Sequence, residues 1–203
     1  HPQEQDKTLG TARLTAHHLA GARFRVGLSW PSLATALGRP ADPKRWAVLY
    51  LGSIAPEDFP AGSDLAVFDK DGKVLADQRS ALSEIDGVIV LDGTWSQAKS
   101  LWWRNPWLLK GRRVALNPAR PSRYGQIRKQ PRREGLSTIE AAGMLLARRE
   151  GRPEIAATLE DTFKRMLARF RLARAAGEPA AAPRGPRGPQ RARRRRPPVP
   201  RGG

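Results

Sequence analysis

The run Val88-Ile89-Val90-Leu91-Asp92-Gly93-Thr94-Trp95-Ser96-Gln97-Ala98 carries three structural instructions in eleven residues. Its first four residues are continuously apolar, the pattern of a central strand covered on both faces. Asp92-Gly93 interrupts that run. Thr94 followed by Gln97 is a capping-box pattern. Trp95, Ala98, Leu101 and Trp102 then fall on one face of a helix. The stretch therefore reads as strand, turn, helix, with Asp92 at the carboxyl end of the strand. In open α/β sheets ligands bind at that edge. A helix N-terminus there offers backbone N–H groups and the positive end of a dipole to a carboxylate or phosphate. A carboxylate just past a buried strand is costly unless it is partnered, so Asp92 either caps the turn or faces a site.

Other apolar runs of strand length lie on both sides: Trp46 to Leu51, Asp64 to Phe68 and Arg113 to Leu116. Asp71-Gly72 between Phe68 and Val74 predicts a hairpin turn. Ser32 to Leu37 suits a short helix, and residues 39 to 43 a loop. Ile139, Ala142, Leu145 and Leu146 share a helical face. So do Ile155, Leu159, Phe163, Met166 and Phe170, behind a Pro153 suited to the first helical turn. Alternating strands and helices predict an α/β domain over residues 1 to 176, with a mostly parallel sheet flanked by helices. Residues 177 to 203 hold eight Arg, seven Pro and five Gly. That composition cannot bury enough apolar surface to offset the entropy of ordering, and it predicts a disordered basic tail. Such a tail is either solubilising or a non-specific RNA tether.

Lys and Arg number 37 against 19 Asp and Glu, a net charge of +18, of which the tail supplies +7. The remaining +11 makes the domain basic in its own right, favouring a polyanionic partner. No apolar run approaches the roughly 20 residues of a membrane-spanning helix, and no signal peptide is visible. With no Cys, disulfides, thiol catalysis and cysteine-ligated zinc are excluded within this chain. The adjacent pair His17-His18 makes a poor metal site, so no metal is expected. A cytoplasmic location fits these features.

A second informative segment follows the last strand. Asn117 to Tyr124 is a proline-stiffened loop, Arg128-Lys129-Gln130-Pro131-Arg132-Arg133 is densely cationic, and Ser137 with Glu140 is another capping box. Basic residues with Tyr124 among them suit RNA through phosphate contacts and base stacking, although a solvated surface has the same composition. Four of the six Trp lie between 95 and 107. Trp95 and Trp102 read as core, whereas Trp103 lies about 100° further round the helix and is the candidate for an exposed ring. There is no P-loop and no G-x-G-x-x-G fingerprint, which removes support for ATPase and NAD-enzyme readings.

Taken together and in order, these segments resemble the DTW-domain family of tRNA-uridine aminocarboxypropyltransferases. The matching blocks are His1-Pro2-x-Glu4-x-x-Lys7, Leu49-Tyr50-Leu51-Gly52, the name-giving Asp92-x-Thr94-Trp95, Pro121-Ser122-Arg123-Tyr124, Arg128-Lys129 and Leu136-Ser137-Thr138-x-Glu140-Ala141. Many family members carry a cysteine cluster before the His-Pro block. Leu51 stands where the family usually has Pro. The resemblance implies a SPOUT-like fold with a trefoil knot, S-adenosylmethionine as donor, uridine in tRNA as acceptor and methylthioadenosine as by-product.

On that reading Asp92 is the catalytic residue, taking the uridine N3 proton or orienting the base. Gly52, Ser53, Gly93, Thr94, Trp95 and Leu116 hold adenosine and the sulfonium end. Ser137 and Thr138, at a helix N-terminus, meet the donor's carboxylate. Arg123, Tyr124, Arg128 and Lys129 bind RNA. Three readings remain beside it: aminocarboxypropyl transfer to ribosomal RNA, SPOUT-like methyl transfer, and a basic RNA-binding module without turnover.

Overall fold

The computed structural model describes residues 1–4, 9–49, 54–125, 127 and 135–177. Four strands form one sheet: β1 (Trp46–Leu49), β2 (Leu65–Phe68), β3 (Gly87–Ile89) and β4 (Arg112–Leu116), in the order β2-β4-β1-β3. Six α-helices accompany them: α1 (Thr11–His18), α2 (Leu33–Leu37), α3 (Gln78–Ser83), α4 (Trp95–Arg104), α5 (Thr138–Glu150) and α6 (Pro153–Ala175).

The sheet is mixed, which corrects the expectation of a mostly parallel one. β1 runs parallel to β3 and β4, but β2 runs antiparallel to β4. Strand length and burial pattern say nothing about direction, and an antiparallel edge on a parallel sheet is a common arrangement. The expected hairpin turn follows β2: Asp69 N–H donates to the Lys73 carbonyl at 3.0 Å, and Phe68 bridges Val74. The outer edge of β2 is also met by a side chain. Val67 N–H donates to Gln78 Oε1 at 2.6 Å, and Gln78 Nε2 donates back to the Val67 carbonyl at 3.2 Å.

β3 is an edge strand, not the central one that Val88 to Leu91 predicts; β1 and β4 are central. The apolar run is nonetheless partly covered on both faces. Val88 packs against the cluster that includes Ala47, Ile85 and Leu145, and Ile89 and Leu91 pack against the one that includes Leu33, Trp46 and Trp107. Hydropathy reports which faces are covered, not how many strands lie to each side.

Alternation along the strands divides the core into two layers. Ala47, Val67 and Val114 face α3 and α5, whereas Trp46 and Val48 face α2 and the α4 side. A further cluster, Tyr124, Ile139, Leu159, Phe163 and Leu167, locks α6 against α5, with Leu14 of α1 beside it. The predicted α6 stripe is borne out from Ile155 to Met166. α6 ends at Ala175, and the basic tail from Glu178 onward lies outside the described residues.

Candidate functional site

Because β1, β3 and β4 are parallel, their carboxyl ends share one edge of the sheet. The chain leaving β3 reaches Asp92 and turns into α4. Thr94 caps α4: its hydroxyl accepts from Gln97 N–H at 3.3 Å, and Gln97 Oε1 accepts from Thr94 N–H at 2.7 Å. Gly93 is required by close approach, since a Cβ there would lie 2.9 Å from Gln97 Cβ.

Two other stretches converge on this turn. The backbone nitrogen of His1 donates to the Asp92 carbonyl at 3.0 Å, and Gln97 Nε2 donates to Gln3 Oε1 at 2.9 Å. From the opposite side, the Thr138 hydroxyl at the start of α5 donates to Asp92 Oδ1 at 2.6 Å. Asp92 is thus half-buried and partnered, as burial of a carboxylate requires.

Ser137 caps α5 from a buried position, 3% exposed. Its hydroxyl accepts from Glu140 N–H at 3.3 Å and donates to Glu140 Oε2 at 2.6 Å. The Glu140 carboxylate does more than close this box. It also accepts from Ser137 N–H at 2.9 Å, from the Ser122 hydroxyl at 2.6 Å and from Arg123 N–H at 2.8 Å. One carboxylate therefore fastens the loop after β4 to the N-terminus of α5.

Asp92 and Thr138 lie on the wall of a cavity of about 580 Å³, bounded by the Val88–Asp92 segment, by His1 and Glu4, by Thr15 of α1 and by Ala142 and Leu145 of α5. That volume is typical of small-molecule sites. The wall is mixed: apolar side chains such as Leu33, Trp46 and Ile89 share it with Arg23, Arg25, Arg39 and Arg149. Buried Glu4 and the Asp92 carboxylate contribute negative charge. Asp86, further along the wall, is held below the usual carboxylate range by its hydrogen bond from Arg45.

The remaining expected site residues are dispersed. Gly93, Thr94 and Trp95 form the turn behind Asp92 and are not on the cavity wall. Leu116 ends β4 and packs against the α5-facing core. Arg123 pairs with Glu160 of α6. Tyr124, expected to stack on RNA, is 1% exposed. Its ring sits edge-on to Phe163 at 4.9 Å, and its hydroxyl donates to the Leu9 carbonyl at 2.6 Å, so it is a core residue. Gly52, Ser53, Arg128 and Lys129 lie outside the described residues. Among the described residues no three His, Cys, Asp or Glu are grouped to hold a metal, and no helix is long and apolar enough to cross a membrane.

Sequence reasoning missed the His1 and Gln3 contacts and the wider role of Glu140. The capping-box spacing was the only local signal for Glu140; its bonds to Ser122 and Arg123 span 18 and 17 residues.

A strand-edge carboxylate beside a helix N-terminus, on the wall of a cavity in a basic α/β domain, has the arrangement of small-molecule sites at the carboxyl edge of an open sheet. The DTW domain model matches residues 1–171, and the chain belongs to the DTW-domain family. It is similar to proteins named tRNA-uridine aminocarboxypropyltransferase 2. The relative from Macaca fascicularis is 30% identical over 154 residues, covering 72% of this chain and 45% of that protein. The relative from Drosophila melanogaster is 43% identical over 72 residues, covering 36% of this chain and 28% of that protein. The chain thus spans less than half the length of these curated relatives. No solved structure shows significant similarity to it.

Proposed function

We propose that this protein transfers the 3-amino-3-carboxypropyl group of S-adenosylmethionine to N3 of a uridine in tRNA, releasing methylthioadenosine. Family membership and the names of the relatives support the substrate class. The observation that carries the chemistry is the Asp92 carboxylate, oriented by Thr138 at 2.6 Å on the wall of the cavity.

The donor supplies an electrophilic Cγ beside its sulfonium. The bond formed is uridine N3 to Cγ, the bond broken is Cγ to sulfur, and the sulfur pair returns to give a neutral thioether. The N3 proton must leave, and Asp92 is the group suited to accept it or to hold the base in line. Thr138 engages Oδ1, which orients the other oxygen, Oδ2. Reach and orientation come first in such a role. The donor's carboxylate suits the first-turn amides of α5, Thr138 and Ile139, which have no intrahelical acceptor by helix geometry. Gly52 and Ser53 complete the donor pocket, the Gly93–Trp95 turn backs it by holding Asp92 in place, and Arg123, Arg128 and Lys129 contact phosphate. A SPOUT-like knotted arrangement of the donor loops and a disordered tail from residue 177 belong to the same reading.

The test is incubation with unmodified tRNA and donor labelled in the aminocarboxypropyl carbons, followed by nucleoside mass analysis. Label on uridine at the aminocarboxypropyl mass is the expected result. A methyl adduct, or label only on ribosomal RNA, would replace the proposal with one of the neighbouring readings. Asp92→Ala should abolish transfer while keeping the fold and donor binding; near-normal turnover would remove Asp92 from its role.

A further inference from the structure

The outward face of α4 carries a feature that neither the core nor the Asp92 site uses. Ser96, Lys99 and Trp103 follow each other at helical spacing, and all three are exposed. Trp103 is 74% exposed. Its neighbour Trp102 does the packing instead, half-buried in the core cluster of Trp46 and Trp107, with the Arg113 guanidinium 5.6 Å from its ring centroid.

The surroundings of Trp103 are cationic. Lys99 is one turn before it. The Arg104 guanidinium bends back along the helix, its Nε donating to Ser100 Oγ at 3.2 Å, which places that charge over the residue three before Trp103. Lys110 is exposed just beyond, and no carboxylate pairs with Lys99, Arg104 or Lys110 among the described residues. Residues 93 to 133 contain eleven Lys and Arg and not one Asp or Glu, although Arg112 and Arg123 pair with Glu84 and Glu160 from outside that stretch. An aromatic face amid unpaired cations matches an unpaired nucleotide, with a base on the ring and phosphates on the amines. A hydrophobic protein partner would not need the charges.

We infer that Trp103 is a stacking platform for an unpaired base of the RNA substrate, with Lys99 and Arg104 gripping the adjoining phosphates. It rests on the proposed RNA substrate, and it adds a contact about 12 Å along α4 from Trp95, at 1.5 Å per residue.

The experiment is fluorescence anisotropy of the full chain with labelled (rU)12 and with an RNA duplex of the same length, for the unsubstituted protein, Trp103→Ala, Trp103→Phe and Lys99→Ala. Trp103→Ala should weaken single-strand binding by roughly 5- to 150-fold, the span of alanine substitutions at base-stacking aromatics, and leave duplex binding within twofold. Trp103→Phe should stay within about threefold, because the stacking face persists. Lys99→Ala should lower the salt slope by about 0.7. Unchanged single-strand affinity in Trp103→Ala, or an equal loss on the duplex, would overturn the platform alone. Absence of binding to either RNA by the unsubstituted chain would overturn the substrate reading with it. Self-association that vanishes in Trp103→Ala, with RNA affinity intact, would reassign the ring to a protein contact and overturn the proposal.

Discussion

Replacing Glu140 by alanine should lower the melting temperature by about 6–12 °C, a large effect for one half-buried side chain. Its carboxylate accepts four hydrogen bonds: from the Ser137 amide and hydroxyl, the Ser122 hydroxyl and the Arg123 amide. Each bond to a charged acceptor contributes about 1.5–3 kcal/mol in isolation, but bonds sharing one acceptor group are not additive. Ser122 and Ser137 are 8% and 3% exposed, so water replaces the lost acceptor poorly. Loss of the helix cap alone costs about 1 kcal/mol. A total near 3 kcal/mol is the consistent figure, and in a domain of this size each kcal/mol moves the midpoint about 2–4 °C. Glu140→Gln should recover no more than half, because its NH2 group must face at least one of the four donors. Differential scanning calorimetry at pH 7 measures both variants. A Glu140→Ala midpoint within 2 °C of the unsubstituted protein would refute the claim that this carboxylate holds the loop after β4 to α5.

Thr138→Val keeps the shape of the side chain and removes the bond to Asp92, so transfer should fall at least tenfold while the melting temperature drops by only about 2–4 °C; steady-state kinetics with unmodified tRNA and calorimetry check it. Gly93→Ala drives a Cβ to 2.9 Å from Gln97 Cβ and should open the α4 capping box, costing about 1–3 kcal/mol in denaturant unfolding. Tyr124→Phe removes the bond to the Leu9 carbonyl from a buried ring and should cost about 1 kcal/mol by the same measurement, with RNA affinity unaffected. Acid should destabilise the fold through Asp86 and Glu84, held down chiefly by hydrogen bonds from Arg45 and Arg112 respectively. Folded values below the unfolded ones stabilise above the ordinary carboxylate range, and that contribution is lost as pH falls through the folded values. The midpoint should therefore drop below about pH 4, and Asp86→Asn should flatten the drop.

What the sequence discloses follows the range of the interactions involved. Both capping boxes, Thr94 with Gln97 and Ser137 with Glu140, form as their three-residue spacing predicts, because a cap is made by a side chain and a nearby amide. The Asp71-Gly72 turn and the α6 stripe are equally local. The direction of β2, the edge position of β3 and the burial of Tyr124 are set by partners distant in sequence. Tyr124 shows the difference best: within a loop rich in Arg it has the composition of an RNA contact, and only Phe163 and the Leu9 carbonyl draw it inward. Asp92 was legible as a carboxylate needing a partner, but nothing local points to Thr138, 46 positions away.

The last turn of α5 has a consequence of its own. Arg148 forks onto Asp64, just before β2, at 2.8 and 2.9 Å, while Arg149 donates to the Ile85 carbonyl, just before β3, at 2.7 and 3.1 Å. Those strands are the two outer edges of the sheet, so α5 grips both of them at its rear while its front rests on Asp92. Neither edge can peel away without loosening the helix. Amide exchange in α5 and in all four strands should then report a single opening free energy, and warming should dissolve the Asp92–Thr138 contact only when the whole sheet melts.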